Sequence, residues 1–164
     1  MPRMSDPVTR LVRSSDRRRA FTIIEILVVV AILSLLASVG IQQLLRARIT
    51  TNEQLAINSV RLLVKSCQFY FLAAQRYPTT LTDLGPGSSN PPYLDDTGLL
   101  AGAKQGYQFS YAPGPGPSPI TFTLLANPQG QGSTGVRHFF ADQTQTIHAT
   151  SQNRDATAAD PVVP

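Results

Sequence analysis

The stretch from Arg17 to Leu45 reads RRRAFTIIEILVVVAILSLLASVGIQQLL and decides how the rest of the chain is organised. From Phe21 to Ile41 it is apolar except for four small or weakly polar residues and one charge, Glu25. An α-helix of this length rises by roughly 30 Å, which is the thickness of the hydrocarbon core of a bilayer. The run therefore predicts a membrane-spanning helix.

Glu25 is the feature that a plain membrane helix does not explain. A charge inside such a helix costs ~2.5–3.5 kcal/mol at the centre of the bilayer and less near its ends. Three arginines precede the run and end at Ala20, so a basic segment, a small residue, a phenylalanine and a glutamate follow one another. The segment Ala20-Phe21-Thr22-Ile23-Ile24-Glu25 resembles the processing site of type IV prepilin-like proteins, the family of type IV pilins and type II secretion pseudopilins.

The resemblance implies a processing event and an assembly role. Residues 1–20 would be a basic leader that prepilin peptidase removes by cutting between Ala20 and Phe21, after which Phe21 is N-methylated. The family usually has glycine before the cut, and Ala20 keeps only its small size. In the family, a glutamate at the position of Glu25 faces the new amino terminus of a neighbouring subunit in a helical filament.

Two simpler interpretations of the apolar run stand beside the resemblance. A single-span anchor also has arginines on the cytoplasmic side of an apolar run, but it gives no account of Glu25. A secretory signal peptide would use Ser38-Val39-Gly40 as its cleavage site. Against it, the run exceeds the ~7–15 apolar residues of a signal core and contains a carboxylate.

The charge of the chain is concentrated in the predicted leader. Residues 1–20 hold six arginines and two aspartates, whereas the remainder carries eight basic and eight acidic residues. The basic character thus belongs to the part that processing would remove, and it does not predict nucleic-acid binding. Cys67 is the only cysteine, so no disulfide can form within the chain, and we expect Cys67 to be a small core residue.

Composition divides the chain into six segments. The predicted leader is followed by a transmembrane and assembly helix over residues 21–45 and by an amphipathic helical segment over residues 46–76. Residues 77–106 are rich in Pro, Gly, Ser, Asn and Thr, which predicts a variable loop region with short helical turns. Residues 107–149 predict an antiparallel sheet, and residues 150–164 have no apolar pattern, so we expect a disordered tail.

The amphipathic segment shows apolar residues at intervals of mostly three or four, which is helical periodicity. Asn52 and Glu53 fill the one gap in this stripe, and we group Glu53 with the charged residues that lie mostly off it. We expect the helix to stop near Arg76, because the proline at residue 78 disfavours helix in the residue before it. The residues of the stripe are Leu45, Ile49, Ala56, Val60, Leu63, Cys67, Tyr70 and Ala74.

Strands are predicted where apolar and polar residues alternate. Residues 107–111 alternate aromatic and polar side chains, and a Pro/Gly-rich loop follows them. Further strands are predicted at 120–126, 136–141 and 146–149. The last two would form a hairpin similar to the final hairpin of pilin-like proteins, which usually carry glycine in the turn near Thr144.

We find no catalytic constellation in the sequence, and we predict that the protein is not an enzyme and needs no cofactor. We expect His138 and His148 to be surface or edge residues of strands, since neither has metal-ligand spacing to other donors. Asp95, Asp96 and Asp142 are weak candidates for a calcium site, which some pseudopilins have near their C-terminal loops. Two adjacent aspartates are, however, typical of a helix cap, and calcium needs six to eight oxygens.

The predicted fold is α+β, with one long N-terminal helix whose second half packs on a small C-terminal antiparallel sheet. The predicted function is that of a structural subunit, held in membrane lipid at the bacterial inner membrane, processed by prepilin peptidase and self-associated into a pilus-like filament by membrane assembly machinery. The alternatives are a pseudopilin of a type II secretion system and a minor-pilin or membrane-tethered binding module.

Overall fold

The computed structural model describes residues 21–163 of the chain. The predicted leader, including Ala20, and the last residue, Pro164, lie outside the described residues. The predicted α+β fold is confirmed, since a long N-terminal helix is followed by a five-stranded antiparallel sheet. In chain order the elements are α1 (Ile23–Ala74), a 3₁₀ turn (Leu81–Leu84), α2 (Thr97–Leu100), β1 (Ala103–Lys104), β2 (Tyr107–Pro113), β3 (Phe122–Pro128), β4 (His138–Asp142) and β5 (Ile147–Thr150).

The chain divides into two compact units between residues 39 and 40. The first unit contains the apolar part of α1, which is long and apolar enough to cross a membrane by its length and composition. The helix begins where Thr22 supplies acceptors to its first turn. The amide of Glu25 lies 3.1 Å from the carbonyl oxygen of Thr22 and 3.3 Å from its hydroxyl oxygen, which is the bonding of a helix N-cap.

The second unit contains the rest of α1 and the sheet. The strands lie in the order in which they occur along the chain, and each pairs antiparallel with the next. Ala126 of β3 pairs with Phe109 on one side and Phe139 on the other, and all three are buried. Residues directly opposite one another project to the same face of a sheet, so these residues place the core on one side of it.

The buried stripe of α1 packs in this core. Ala56, Val60, Leu63 and Cys67 are at most 3% exposed, as the helical periodicity predicts. Leu45 and Ala74, the two ends of the predicted stripe, are exposed instead. Tyr77, just after the helix, packs edge-to-face against Phe122 of β3, with their ring centroids 4.8 Å apart and an angle of 63° between the ring planes. Side chains from the 3₁₀ turn, the loops and the strands complete the core, including Leu84, Leu94, Leu99, Tyr107, Leu124, Ala141 and Ile147.

The prediction of a disordered tail after residue 149 is wrong for the residues that the structure describes. Ala149 and Ile147 of β5 form backbone hydrogen bonds with Pro161 and Val163, each of 2.8–2.9 Å. The tail therefore covers the outer edge of β5. Composition does not reveal that the tail is ordered, because backbone hydrogen bonds and polar contacts hold it in place and no apolar pattern is involved.

A polar loop holds this tail in place. The guanidinium of Arg154 donates two hydrogen bonds, of 2.5 and 2.9 Å, to the carboxylate of Asp160. The same carboxylate accepts the backbone amide of Thr157 at 2.8 Å, and Ala156 between them is 2% exposed. The chain thus closes a turn around Asp160 before it pairs with β5.

Two further details of the sheet were not predicted. The short edge strand β1 was missed, because two residues are too few to show alternation. In the turn between β4 and β5, the residue in the left-handed region is Gln145, with φ 66°, one position after Thr144. Asp142 stabilises this turn by accepting hydrogen bonds from the amide and the hydroxyl of Thr144 at 2.9 and 2.6 Å.

Candidate assembly surface

The first unit presents an apolar surface that the described residues leave uncovered. Within residues 21–36 the large apolar side chains range from 47% exposed at Val29 to 85% exposed at Ile23. Burial of apolar surface is favourable by about 25 cal/mol per Å², so a helix exposed on all sides has a large unsatisfied tendency to leave water. A helix that is apolar all round is typical of a membrane span or of the core of a larger assembly.

One side of the first two turns of this helix has a shallow apolar groove. The groove is open and is lined by residues about one turn apart, among them Phe21, Ile26, Leu27 and Val30. Side chains spaced by three or four residues form the grooves into which the ridges of a second helix pack. The groove therefore suits contact with another apolar helix.

Phe21 and Glu25, two of the sequence-predicted site residues, lie together at the start of α1. Phe21 is 75% exposed, and Glu25 is also exposed. Within residues 21–163 the ion pairs are Asp96–Lys104, Glu53–Arg137 and Arg154–Asp160, so the structure gives Glu25 no cationic partner there. A carboxylate in the first turn also interacts favourably with the helix dipole, which gives Glu25 a local role that needs no neighbouring chain.

The second unit has a charged joint between α1 and the sheet. Glu53 is 8% exposed, and its carboxylate accepts the backbone amides of Val136 and Arg137 at 2.9 and 3.1 Å. Its other oxygen accepts the guanidinium Nε of Arg137 at 2.7 Å. A single side chain of the helix thus fixes the segment that leads into β4.

The grouping of Glu53 with residues off the apolar stripe is therefore wrong. The signal was present in the sequence, because Glu53 fills the one gap in the stripe and lies three residues before Ala56. Burial opposes ionisation of Glu53, but the hydrogen bonds from Val136 and Arg137 together outweigh it and hold the pKa of this carboxyl below its ordinary value.

Neighbouring contacts tighten the same joint. Asn52 donates a hydrogen bond to the carbonyl oxygen of Thr134 at 2.9 Å, and the hydroxyl of Tyr107 donates one to the carbonyl oxygen of Arg137 at 2.9 Å. A Cβ at Gly135 would lie 2.6 Å from Cζ of Tyr107, so only glycine allows this approach of loop and ring. Together these contacts hold α1 against the segment that leads into β4, so their role is to stabilise the fold.

The three candidate calcium ligands occupy different places. Asp96 caps α2 by accepting the amide of Leu99 at 3.1 Å, and it also pairs with Lys104. Asp142 stabilises the β4–β5 turn, and Asp95 is exposed beside the cap. Among the described residues, no group of three or more His, Cys, Asp or Glu side chains could hold a metal ion.

The expectation of surface histidines is wrong for His138, which is 6% exposed. Its ring nitrogens lie 2.9 Å from Asn127 Oδ1 and 3.1 Å from Gln131 Oε1. Burial lowers the pKa of His138, which favours the neutral ring. His138 therefore joins the end of β3 to the following loop, and His148 on β5 is half-buried.

Comparisons with known proteins agree with this geometry. A family model described as the prokaryotic N-terminal methylation motif matches residues 15–41. The chain is similar to the type II secretion system core protein G of Escherichia coli strain K12, with 34% identity over 68 residues, which is 42% of this chain and 47% of that protein. The protein of the same name from Dickeya chrysanthemi is 38% identical over 69 residues, which is 42% of this chain and 45% of that one.

The matches to relatives cover less than half of this chain. The chain spans less than half the length of the curated relatives that it matches. The predicted resemblance to the pilin and pseudopilin family is confirmed by the methylation motif, which covers the predicted processing site and the apolar run. Within the described residues, the motif therefore coincides with the exposed apolar start of α1.

Proposed function

We propose that this chain is a pilin-like structural subunit that is processed before Phe21 and polymerised through its N-terminal helix into a filament. The single observation that carries the proposal is that the described part of the matched methylation motif includes the start of α1, where the large apolar side chains from Phe21 to Leu36 are all exposed. A surface of this kind has two natural environments, which are a bilayer and a bundle of identical helices. The same surface would contact lipid before assembly and the helices of neighbouring subunits after it.

Prepilin peptidase would act at the cytoplasmic end of the apolar run. Cutting between Ala20 and Phe21 frees an α-amine with a reference pKa of ~7.7–8.0, which is largely protonated at neutral pH, and Phe21 would then be N-methylated. The subunit would wait in the inner membrane with its apolar helix in lipid. Membrane assembly machinery would then bring subunits together, and the exposed groove of each helix would receive the helix of a neighbour.

Glu25 would pair with the amine at the start of a neighbouring chain. Both groups enter an apolar core during assembly, and each charge alone would be costly there, whereas the pair offsets much of that cost. Pairing across chains would also fix the axial register between subunits. Glu25 lies about one helical turn, ~5.4 Å, from its own amino terminus, so pairing within one chain is the alternative.

A type II secretion pseudopilus is the more specific form of this proposal. It is supported by the similarity to type II secretion core protein G, which includes residues beyond the short methylation motif. The filament would then be periplasmic rather than a cell-surface pilus. Deleting the chain from its host would distinguish a pseudopilus from a pilus. Loss of protein secretion with surface filaments intact supports a pseudopilus, whereas loss of surface filaments with secretion intact supports a pilus.

The position of the mature amino terminus tests the proposal. Intact-mass measurement on the chain from membrane fractions should give a mass that begins at Phe21 with one added methyl group. A matched Phe21→Ala variant and its parent, measured together, would show whether cleavage depends on the residue directly after the cut. A mature terminus near Ile41 would mean a secretory signal peptide and would contradict the filament function.

A further inference from the structure

The second half of α1 has an outer face that the rest of the described chain does not cover. On the side away from the core, Leu62, Phe69 and Leu72 are 43%, 60% and 69% exposed. Leu62 and Phe69 are seven residues apart and Leu72 follows three later, so they lie along one side of the helix. Lys65, which is exposed, lies between them on the same side. We call these four residues the outer face.

The helix that carries the outer face has exposed charges of one sign. Between residues 40 and 74 the basic residues are Arg46, Arg48, Arg61 and Lys65, all of them exposed. The one acidic residue in that range is Glu53, which is buried and paired with Arg137. An outer face placed against its own copy would bring like charges together.

The remainder of the second unit has an excess of acidic residues. Residues 75–163 contain six acidic and four basic residues. Two of the acids lie on neighbouring segments, because the backbone amide of Leu94 donates to the carbonyl oxygen of Leu84 at 2.9 Å. Asp83 and Asp95 flank that hydrogen bond, and we call them the acidic loop. The carboxylate of Asp83 already accepts hydrogen bonds from Thr79 and Thr80, so Asp95 is the residue that would meet a partner. Asp95 is exposed and takes no part in the three ion pairs of residues 21–163.

We propose that the outer face of one copy docks against the acidic loop of a second copy. The inference rests on the proposed filament function and adds the surface through which the exported parts of two subunits meet. Docking covers the exposed side chains of Phe69 and Leu72, and Lys65 opposite Asp95 orients the contact, since exposed ion pairs are weak by themselves. The two surfaces differ, so the contact is heterologous, and repeated heterologous contacts that do not close build an open helical filament.

A second copy fits this face better than an anionic lipid surface does. A basic, apolar helix face is also the pattern of a membrane-surface helix. Here, however, the helix is packed on a region with two more acidic than basic residues, which an anionic membrane repels. The complementary charge is on this chain itself.

Disulfide trapping between two full-length chains tests the contact. One chain carries Lys65→Cys with a large tag, the other carries Asp95→Cys with a small tag, and both are made in cells that assemble the filament. The native Cys67 is fully buried, so it does not compete. We expect oxidation to give a mixed dimer with both tags, and a control pair of Lys65→Cys with Gln129→Cys, exposed outside the acidic loop, to give at least fivefold less.

Charge reversal provides a second readout that does not depend on thiols. Lys65→Glu should reduce filament number about fivefold or more, since it places like charges in every contact, whereas Lys65→Arg should leave it unchanged. Adding Asp95→Lys to the Lys65→Glu chain should restore filaments. Failure of the second change to restore them would overturn the pairing.

The other outcomes separate this contact from the filament function. Filaments without a mixed dimer would overturn the docking surface and leave the filament function standing. Dimers of Lys65→Cys with itself would show a symmetric contact instead, and protection of Lys65→Cys from a water-soluble maleimide in membranes without filaments would assign the face to lipid. If the unmodified chain forms no filaments with its machinery present, the filament function fails and the docking surface fails with it.

Discussion

The first and second parts of α1 are both helical, but they differ in what covers them. In residues 23–36 the large apolar side chains are exposed on every side of the helix. In residues 53–74 one side is buried by the sheet and loops, and apolar side chains alternate with charged and polar ones. The second part is stabilised by its own chain, whereas the first part needs a partner that residues 21–163 do not supply.

This difference shows how one helix can serve two purposes. The buried stripe from Ala56 to Cys67 specifies a folded domain, because its partners are fixed residues of the sheet. The exposed surface from Phe21 to Leu36 specifies only that apolar contact is needed, so lipid and a neighbouring helix both suit it. A subunit that must move from a membrane into a filament requires a surface with this freedom.

Removing residues 1–48 should have the largest effect, because it removes the uncovered surface and keeps the covered one. We expect the remaining chain to leave the membrane fraction completely and to be a folded monomer in solution. Ultracentrifugation of lysates, circular dichroism and analytical gel filtration would measure this. A fragment that aggregates or unfolds would show that the second part of α1 depends on the first.

Glu25→Ala should keep membrane residence and processing but lower filament number at least tenfold. The carboxylate is expected to offset the charge of a neighbour's amine in the apolar core, and an unpaired charge there costs several kcal/mol. Ser34→Ala is the matched control, because Ser34 also lies on the exposed part of α1. Its hydroxyl donates a hydrogen bond to the backbone carbonyl oxygen of Val30 at 2.8 Å, within the same helix. Filaments would be counted by electron microscopy. Equal numbers for the two variants would show that Glu25 has no role in assembly.

Co-expression refines the test of Glu25. If the pair forms between chains, the unmodified chain should partly restore incorporation of Glu25→Ala, because its carboxylate reaches the amine of the variant. Tagged Glu25→Ala in sheared filaments would be measured by immunoblot. Exclusion of the variant under these conditions would favour pairing within one chain.

Glu53→Ala in the soluble domain should lower the free energy of unfolding by about 2–4 kcal/mol. It leaves the amides of Val136 and Arg137 without their acceptor and separates Arg137 from its partner, though the part-exposed guanidinium can be rehydrated. Urea unfolding of the soluble domain would measure the loss. Gln54→Ala, at an exposed neighbouring position, is the control and should change stability by less than about 0.5 kcal/mol.

Acid should weaken the same joint by a smaller amount. The pKa of Glu53 is lowered in the folded domain, so unfolded chains bind a proton more readily than folded ones. The contribution is complete well above the unfolded pKa of ~4.3 and is lost as the pH falls from there through the lower folded pKa. We therefore expect Glu53→Gln to flatten the loss of stability between about pH 5 and pH 3, whereas a parallel dependence in both chains would contradict the assignment.

The sequence predicted those parts of the fold that local patterns determine. The apolar run, the helical stripe that ends before Tyr77 and the alternating aromatic residues of β2 each follow a period that one element imposes. The prediction of an acidic helix cap is confirmed as well, since Asp96 accepts the amide of Leu99. These features depend on residues close together in the chain.

The features that were missed depend on residues far apart or on backbone alone. Burial of Glu53 depends on Arg137, 84 residues away, and no local pattern reveals that partner. Order in the tail depends on backbone hydrogen bonds between Ala149 and Pro161 and on the turn around Asp160. The processing and assembly roles of Ala20, Phe21 and Glu25 stay predictions, because they concern chemistry between this chain and its partners.

Electron microscopy of cells that make the full chain with its assembly machinery tests the central claim most directly. Filaments should be present, and they should bind gold-labelled antibody raised against the soluble domain along their whole length. They should disappear when the chain is deleted and return when it is restored. Processed chain that remains dispersed in the membrane with no labelled filaments, while the machinery is present, would contradict the account.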